Sequence, residues 1–437
     1  MRKLSIKNFS DLEKIKDKIS NFHIVFVSSD PYWFSSINQV SRNFHTFSFD
    51  FLENEKNSSL FLDLEERNKP ISTIEILKCE KVKKLLERIE KPKIFTFKVK
   101  KAYERFIEGP LKGEYPLKRN IFAAENFENK ISVMKFFDEL SISRPNYKIL
   151  KIKKDSFSEL KKELGIPFVL QTQFSAAGEG TFLIKDRDDF QLVLKENEGR
   201  IVKASEFIEG LDLTINACTN KRKTISTQLF AQITGVNFLA KNELASCGTD
   251  FSFRVDSSSQ KKAWEIIEKV GKVLREKNFR GIFGMDFVWD GEKLFAIEIN
   301  PRMVASIPVF TDLEVKNKRI PLLAFHFLEL LEIPFDLSED ILEKSKEKIV
   351  GSHIFLKATK EAFFKDFIDE KVLEDCKKEI NGKVFFRKKK KFFENENFGR
   401  VLLKDSVLEY GNTKKLKAFY EQKIKSILEV LLNPWPI

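Results

Sequence analysis

The sequence has few of the residues that build disulfide or zinc sites. Its cysteines are Cys79, Cys218, Cys247 and Cys376. They lie far apart and include no CxxC pair, so neither a disulfide framework nor a zinc site is expected. This cysteine usage fits the reducing environment of the cytoplasm.

Long apolar runs are also missing from the sequence. No stretch approaches the roughly 20 apolar residues that a membrane-spanning helix needs. The first residues, MRKLSIKNFSDLEKIKDKIS, contain no apolar core of the kind found in secretory signals. We therefore expect a soluble, cytoplasmic protein without a membrane partner.

The side-chain combinations of covalent catalysis are absent too. The chain shows no Ser/His/Asp or Cys/His constellation, its 4 histidines are scattered, and no biotinyl-carrier motif such as M-K-M occurs. Internal repeats and low-complexity linkers are likewise missing. What remains is an ordinary globular composition of 437 residues with 42% hydrophobic content, enough for two or three domains.

Basic residues outnumber acidic ones, giving a net charge of +12. This excess favours anionic partners such as nucleotides, nucleic acids or acidic substrates, but the basic residues are scattered along the chain. The densest run is RKKKK at 387–391, with phenylalanines on both sides that could stack on nucleic-acid bases. We favour a lysine-rich hairpin tip that protects strand edges, so a nucleic-acid partner is not expected.

Residues 1–118 have the pattern of a small N-terminal βαβ domain. The runs FHIVFVS, NFHTFSF and KIFTFKV predict strands, and the amphipathic segment CEKVKKLLERIE lies between the last two. Ser28, Ser29 and Asp30 follow the first strand, where sheets of this type tend to place ligands. A plain turn is the simpler interpretation of these three residues.

The remainder of the chain predicts further helices and strands, and the fold class is α/β. The helices predicted in the middle of the chain are ENFENKISVMKFFDELS, SFSELKKEL and QKKAWEIIEKVGKVLREKN. QFSAAGEGTFLI predicts two strands joined by a loop of small residues. After residue 345 the predicted elements are SHIFLKA, KVFFRKK and RVLLKD as strands, with KKLKAFYEQKIKSILEVLL as a closing helix.

The segment GMDFVWDGEKLFAIEINPR at 284–302 predicts a β-hairpin that carries charged side chains on apolar strands. Asp290 and Gly291 mark the turn, which is either a two-residue type I′ loop or a three-residue loop with the glycine in a bulge. We predict the three-residue loop, in which Val288 faces Glu292.

In that register Asp286 pairs with Leu294 and lies on the same face as Ala296, Glu298 and Asn300. The other face is apolar and holds Phe287, Phe295, Ile297 and Ile299. Two carboxylates and an amide oxygen are hard donors, which suit Mg²⁺ or Mn²⁺ better than zinc. Arg302 follows at the strand end, available to stabilise negative charge. A solvated strand edge with polar residues is the alternative that the hairpin alone leaves open.

Four segments in order resemble the ATP-grasp superfamily, including its biotin carboxylase-like and carboxylate–amine ligase members. The hairpin resembles the family signature, in which an acidic residue on one strand precedes an E-x-N-x-R run on the next. NKISVMKFFDEL resembles the segment that opens the helix before the lid, with Asn129 in place of the usual aspartate. FSAAGEGTF resembles the glycine-rich lid loop, and ASEFIEGLD resembles the strand that binds adenine. The resemblance covers roughly 120–310.

The resemblance implies a domain organisation. The implied parts are a pre-ATP-grasp domain over 1–118, an ATP-grasp domain over 119–344 with a lid subdomain at about 150–206, and a β-rich C-terminal α+β extension over 345–437. The implied cofactors are ATP and Mg²⁺ or Mn²⁺.

The resemblance also assigns roles to individual residues. The implied metal ligands are Asp286, Glu298 and Asn300, and the implied catalytic residues are Lys130 and Arg302. The implied ATP-binding residues are Lys130, Gln171, Ser175, Gly178, Gly180, Glu206, Ile208 and Asp212. Within this set, the backbones of Glu206 and Ile208 would pair with adenine, and Asp212 would hold the ribose.

The chain departs from the family at one position. Members usually carry a lysine on the strand before the lid loop, in a pattern like P-x-V-x-K-P, where this chain has Gln171. An amide donor brings no positive charge, so its attraction for phosphate is weaker. Lys130, Lys185 or Lys203 would have to compensate, or the site binds ATP without efficient turnover.

The resemblance implies an ATP- and Mg²⁺-dependent ligase. It would activate a small-molecule carboxylate as an acyl phosphate and join it to an amine, releasing ADP and phosphate. The alternative is a catalytically weakened ATP-binding regulatory or scaffold protein. The sequence does not identify the substrates, and a homodimer is common among similar proteins.

Overall fold

A computed structural model describes residues 3–49, 60–62, 72–174, 180–360, 362–365, 368–387, 391–392 and 394–433. Its N-terminal part contains β1 (Leu4–Ile6), α1 (Leu12–Ile19), β2 (Ile24–Val27), α2 (Trp33–Asn38), β3 (Phe44–Phe49), β4 (Leu60–Leu62), α3 (Thr73–Lys78), α4 (Glu80–Leu86), β5 (Lys93–Thr96) and α5 (Lys101–Glu108). Four of these strands form a parallel sheet in the order β4-β3-β2-β5. All four residues of β2 are buried, as expected for a parallel strand with covered faces.

The next part of the chain forms a small antiparallel sheet with its own core. Its elements are α6 (Ile121–Phe127), α7 (Ser132–Glu139), β6 (Tyr147–Lys151), α8 (Ser156–Leu164), β7 (Phe168–Thr172), β8 (Thr181–Ile184), α9 (Arg187–Asn197) and β9 (Ile201–Glu206). The strands pair in the order β6-β9-β7-β8, which we call the lid sheet. One of its faces packs on α8 and α9 through residues such as Phe168, Leu170 and Phe190.

The central part of the chain supplies most of a large sheet. Its elements are β10 (Leu211–Thr219), β11 (Thr224–Ser226), β12 (Phe230–Thr234), β13 (Ser246–Asp250), α10 (Ser257–Glu276), β14 (Gly281–Trp289), β15 (Leu294–Asn300), α11 (Ile307–Lys316), α12 (Leu322–Leu330), β16 (Phe335–Leu337) and α13 (Glu339–Ser345). Asp256 caps α10 by accepting hydrogen bonds from the N–H groups of Ser258 and Ser259. The apolar side of α10 is buried, as its amphipathic sequence predicts.

The C-terminal part continues the same sheet. Its elements are β17 (Ser352–Lys357), β18 (Ala362–Phe364), α14 (Glu370–Glu379), β19 (Lys383–Phe386), β20 (Lys391–Phe392), β21 (Asn397–Leu403), α15 (Ala418–Leu431) and β22 (Leu432–Asn433). The strand order β15-β14-β10-β12-β13-β17-β21-β19 runs without a break through β13 and β17. The chain therefore crosses the boundary expected near residue 345 inside one hydrogen-bonded sheet.

The helix predicted for ENFENKISVMKFFDELS is interrupted. The structure has α6 and α7 with a break between them, because the Asn129 carboxamide accepts hydrogen bonds from the N–H groups of Ile131 (3.0 Å) and Ser132 (3.4 Å). Such a side-chain cap starts a new helix at this point. Among the helices of the described residues, none combines the length and apolarity that crossing a membrane requires.

Candidate active site

A cavity of about 600 Å³ lies between the lid sheet, the large sheet and the carboxyl ends of the N-terminal strands. The predicted site residues that line it are Lys130, Gln171, Glu206, Ile208, Asp212, Asp286, Glu298, Asn300 and Arg302. The structure thus brings these residues to one place. Gly180 lies at the end of the lid loop, where its carbonyl accepts a hydrogen bond from the Thr172 N–H at 2.9 Å. Ser175 and Gly178 lie outside the described residues.

The hairpin of β14 and β15 does not have the predicted register. The observed partners are Trp289 with Leu294, Val288 with Phe295, Phe287 with Ala296, Asp286 with Glu298, and Gly284 with Asn300. The predicted pairing of Asp286 with Leu294 was wrong, as was the facing pair of Val288 and Glu292. The turn is longer because the Asp290 carboxylate accepts hydrogen bonds from the N–H groups of Glu292 (2.9 Å) and of the following residue (2.7 Å).

A β-bulge in β15 brings Asp286 and Glu298 to the same face. The register shifts between Asp286 and Phe287, which leaves Ile297 as the extra residue. Without it, Asp286 would oppose Ile297 and Glu298 would point to the other face. The predicted apolar face was right for Phe287 and Ile299, which lie in the core with Leu294 and Ala296, and wrong for Phe295 and Ile297, which are not part of that core. The predicted place of Ala296 on the face of Asp286 was also wrong.

Two amides hold the opposed carboxylates in place. The Nδ2 group of Asn300 donates to Asp286 Oδ2 at 3.1 Å and to Glu298 Oε1 at 3.0 Å. Gln232 reaches the pair from β12 and donates to Asp286 Oδ1 at 2.7 Å. The carboxylates are therefore oriented by donors from two further positions in the large sheet.

The two carboxyl groups have different affinities for protons. Burial raises the pKa of Asp286 well above its usual range, and the Glu298 carboxylate raises it further. Burial acts against ionisation of Glu298 as well, but the Lys130 ammonium and the surrounding hydrogen bonds outweigh it and lower the pKa of Glu298. Ionisation is therefore easier for Glu298 than for Asp286.

A hard divalent cation fits this pair. In the described part of the chain no group of three or more His, Cys, Asp and Glu side chains is arranged to hold a metal, and the carboxylates at this position are the two of the pair. Mg²⁺ suits such a site because it keeps water and phosphate oxygens among its ligands. Asn300 points its NH₂ group at the carboxylates, while its Oδ1 accepts from Arg302 at 3.0 Å. Ligation by this oxygen requires the amide to turn over.

Lys130 lies in the break between α6 and α7. Its N–H donates to the Gln173 carbonyl at 3.1 Å, which ties this break to the end of β7. Its side chain is buried and forms an ion pair with Glu298. The break thus places a lysine against the carboxylate pair, on the side of the lid sheet.

Three neighbouring strands of the lid sheet present a row of polar side chains to the cavity. Gln171 of β7 lies opposite Lys203 of β9 on one side and Thr181 of β8 on the other. The Gln171 Nε2 group donates to the Thr181 hydroxyl at 3.1 Å. All three are buried and line the cavity, so the position of the missing lysine has a basic neighbour on the next strand.

The link between β9 and β10 forms one end of the cavity. Glu206 and Ile208 line it there, and the Glu206 carboxylate accepts hydrogen bonds from the Asn146 N–H (2.7 Å) and Nδ2 (2.9 Å). Gly210 lies so close to the Trp289 carbonyl that a Cβ atom would sit 2.3 Å from the oxygen. Only glycine lets this link lie against β14.

Asp212 lies beside the same link and faces the cavity. Burial raises the pKa of this carboxyl group, while hydrogen bonding and the Lys414 ammonium oppose the shift. The Thr234 hydroxyl donates to Asp212 Oδ2 at 2.5 Å, and the Asp212 N–H donates to the Thr413 hydroxyl at 3.2 Å. The C-terminal part of the chain therefore reaches this end of the cavity.

Arg302 is buried at the end of β15 and is held by several groups. It forms an ion pair with Glu128, donates to Asn300 Oδ1 and to the Met303 carbonyl, and stacks over the Phe97 ring at 5.0 Å. These contacts fix its guanidinium between the carboxylate pair and the N-terminal sheet.

The wall opposite the lid sheet is built at the carboxyl ends of β2 and β5. The chain runs from β2 outward to β3 and β4, whereas β5 lies on the other side of β2, so the strand order reverses between these two strands. Ligands bind at such switch points in open parallel sheets. Ser28 and Asp30 form the expected turn, since the Asp30 N–H donates to the Ser28 hydroxyl at 3.1 Å, and both also line the cavity.

Arg400 of β21 closes this wall. It forms an ion pair with Asp30 and lies over the rings of Tyr32 (5.2 Å) and Phe355 (4.9 Å). Its side chain is almost fully buried, and it also donates to the Ala305 carbonyl at 3.2 Å. The pair joins the N-terminal sheet to the far end of the large sheet.

Several residues of the site had no role in the sequence analysis: Gln232, Thr234 and Arg400, which line the cavity, and Glu128, which pairs with Arg302. Each is brought in by strand pairing or helix packing between distant segments, and no local pattern marks them. Lys185, one of the three lysines considered as compensation, is exposed and pairs with Glu243. The middle of the RKKKK run lies outside the described residues, while its first member, Arg387, forms a buried ion pair with Glu396 at 2.6 Å.

Comparison with known proteins gives one family match and several relatives. The family described as ATP-grasp domain matches residues 127–306. A carbamoyl-phosphate synthase of Methanobrevibacter smithii is 26% identical over 223 residues, which are 49% of this chain and 55% of that protein. The chain therefore spans about half the length of this curated relative.

Solved structures share the fold across nearly the whole chain. A carboxyaminoimidazole ribonucleotide synthase from Aspergillus clavatus, complexed with ATP, has a TM-score of 0.61 at 13% identity, covering 94% of this chain and 99% of that one. An L-amino acid ligase from Bacillus licheniformis has a TM-score of 0.59 at 14% identity, covering 94% and 98%. At these identities the likeness establishes the fold, and the α/β prediction is confirmed.

Proposed function

We propose that this chain, which belongs to the ATP-grasp superfamily, is an ADP-forming ligase that joins a carboxylate to an amine through an acyl phosphate. The observation that carries the proposal is the opposed pair of Asp286 and Glu298 beside Lys130, in one cavity with the residues implied for adenine and ribose. The names of two similar proteins, a carbamoyl-phosphate synthase and an L-amino acid ligase, support the same class of reaction.

ATP would lie along the lid sheet. Its adenine would pair with the backbone of Glu206 and Ile208 and its ribose with Asp212, which places the phosphates toward Lys130. Mg²⁺ or Mn²⁺, held by Asp286 and Glu298 with Asn300, would offset negative charge on the phosphates during transfer. The lid loop would exclude water that hydrolyses an acyl phosphate.

The chemistry needs positioning and charge stabilisation more than covalent catalysis. A substrate carboxylate oxygen attacks the γ-phosphorus, the bond to the bridging oxygen breaks, and ADP leaves. The amine nitrogen then attacks the acyl carbon, phosphate leaves, and the nitrogen loses a proton. Lys130 and Arg302 would stabilise the transferred phosphoryl group, since both are buried cations beside the carboxylate pair.

The two small-molecule substrates would bind on the wall opposite the lid sheet. This wall lies at the switch point of the N-terminal sheet and is lined by Ser28, Asp30 and Arg400. A guanidinium stacked between two rings would orient a carboxylate, and Asp30 would attract a protonated amine. Both groups would then lie next to Arg302 and the transferred phosphoryl group.

Trapping with hydroxylamine tests the acyl phosphate without knowledge of the amine. The protein is incubated with ATP, Mg²⁺, hydroxylamine and a panel of carboxylic acids, and ADP and hydroxamates are measured. We expect at least one acid to give both products in equal amounts, and Asp286→Asn to give neither. A folded protein that binds ATP but forms no hydroxamate and no acid-dependent ADP across the panel would contradict the proposal.

A second candidate is an ATP-binding regulatory or scaffold protein with weakened catalysis. The observation that favours it is Gln171, at the position where the resemblance to the family implies a lysine. Under this alternative, Gln171→Lys should raise ATP turnover from near zero. A robust turnover by the wild-type protein would exclude it.

A further inference from the structure

Lys203 lies directly opposite Gln171 in the lid sheet. Opposed residues of an antiparallel pair point to the same face, with Cβ atoms roughly 5 Å apart. Both side chains line the cavity, with exposures of 2% for Lys203 and 6% for Gln171. An ammonium group at position 203 therefore reaches the space that a lysine at position 171 would reach.

The Lys203 ammonium is not matched by a carboxylate. Within the described residues it forms no ion pair, and its Nζ has a weak acceptor, Met134 Sδ, at 3.7 Å. Burial and, to a smaller extent, the Lys130 charge lower the pKa of Lys203 to about 7, while the Glu298 charge opposes the shift. Lys203 is therefore near both members of the Lys130–Glu298 ion pair.

A purely structural role does not explain a lysine at this position. Burying an amine without a partner has a large free-energy cost, and an apolar side chain of similar length would fill the space without it. The neighbours of Lys203 on β9, Val202 and Ala204, face the apolar core of the lid sheet, whereas Lys203 faces the cavity. An anion in the cavity would supply the missing charge.

We propose that Lys203 binds the polyphosphate of ATP. It takes the role of the lysine expected at position 171, where this chain has glutamine. The Gln171 amide donates to the Thr181 hydroxyl and so maintains the packing of β7 on β8. Lys203, rather than Gln171, supplies the positive charge. The inference rests on the proposed function only in that the cavity binds ATP, and it does not require ligase turnover.

Calorimetric titration of Lys203→Met with ATP and with adenosine tests the proposal. Methionine keeps the length of the side chain and removes the charge. We expect ATP to bind roughly 10- to 100-fold more weakly, as for loss of a charge-assisted contact, and adenosine to bind as to the wild type. The thermal unfolding temperature of the nucleotide-free protein should stay the same or rise. Unchanged ATP affinity, or an equal loss for adenosine, would overturn the proposal.

An exchange variant provides the second measurement. Lys203→Gln should weaken ATP binding, and the double variant Gln171→Lys/Lys203→Gln should recover most of the loss, because the charge returns to the neighbouring strand. Lys148→Met is the matched control, since Lys148 lies on β6 opposite Ala204 and pairs with Glu163 on the other face of the sheet. A double variant that binds ATP as weakly as Lys203→Gln alone would contradict the claim that a lysine at position 171 can replace Lys203.

The binding readout separates this inference from the proposed reaction. If the acid panel gives no product but ATP binding still depends on Lys203, the ligase activity fails and the inference stands. If hydroxamates form and Lys203→Met binds ATP as the wild type does, the inference fails and the activity stands.

Discussion

At the residue scale, the site depends on two like charges that face each other. Asp286 and Glu298 lie opposite in neighbouring strands, and Asn300 donates to both. Two carboxylates that face each other on neighbouring strands do not both ionise unless a cation compensates their charge. The ion pair of Lys130 with Glu298 compensates one charge, which leaves Asp286 with the raised pKa.

Replacing Asp286 by asparagine should separate stability from activity. Since the folded pKa of Asp286 is raised, this group destabilises the protein above its unfolded pKa, and the penalty disappears as the pH falls toward 4. Asp286→Asn should therefore unfold at higher temperature than the wild type at pH 8, by on the order of 1 kcal/mol, with a smaller difference at pH 4.5. ADP formation should fall roughly 100-fold or more. Equal unfolding temperatures at pH 8 would contradict the first expectation.

ATP binding should be accompanied by the uptake of a proton at Lys203. Its folded pKa of about 7 is below the unfolded value of 10.5, so between these values the unfolded chain binds more protons and stability rises with pH. ATP phosphates would keep Lys203 charged. At pH 8, calorimetry in two buffers of different ionisation enthalpy should show more proton uptake by the wild type than by Lys203→Met. Equal uptake by both proteins would contradict this.

The site residues that the sequence revealed lie in short segments that resemble family motifs. Glu298, Asn300 and Arg302 form a short pattern, so a family signature could mark them. Gln232 and Arg400 reach the cavity because their strands pair with partners from other segments. Such neighbours follow from tertiary pairing, which local sequence does not encode.

At the element scale, the break between α6 and α7 sets the position of Lys130. The Asn129 carboxamide caps the start of α7 by accepting the N–H groups of Ile131 and Ser132. An aspartate, the residue usual in the family, would accept the same two hydrogen bonds. The departure at position 129 therefore leaves the capping function intact.

Asn129→Ala should destabilise the protein and weaken ATP binding together. Loss of the cap costs about 1 kcal/mol and allows the two helices to join, which would displace Lys130. Asn129→Asp is the matched control, and it should unfold in urea and bind ATP nearly as the wild type does. Urea unfolding and calorimetric titration measure the two effects. An alanine variant that matches the wild type in both would show that packing alone places Lys130.

Most elements were predictable, but their irregularities were not. Apolar periodicity gave the strands of the hairpin and helix α10, because these features depend on burial of one face. The bulge at Ile297 and the cap at Asn129 are single-residue events that shift the register or end a helix. They depend on side-chain hydrogen bonds and pairing that periodicity does not report.

At the scale of the whole molecule, the large sheet joins parts that the sequence presents as separate. β17, β21 and β19 extend the sheet begun by β15 and β14, so the C-terminal part contributes Arg400 and Lys414 to the cavity. Composition changes little along the chain, and strand order cannot be obtained from strand positions alone. The sequence therefore predicted the C-terminal strands but not which of their residues reach the site.

The ion pair of Asp30 with Arg400 should make the stabilities of the N-terminal sheet and of β21 depend on each other. Arg400 is 3% exposed and Asp30 is 27% exposed, so removing the arginine leaves a partly buried charge and should cost about 2 kcal/mol, less than for a fully buried pair. In urea unfolding, Arg400→Gln combined with Asp30→Asn should lose at least about 1 kcal/mol less than the sum of the single changes. The exposed pair of Lys185 and Glu243 is the control, with a coupling below roughly 0.5 kcal/mol. Additive losses for Asp30 and Arg400 would mean that the first strands and β21 do not stabilise each other, and the wall proposed for substrate binding would then lack its support.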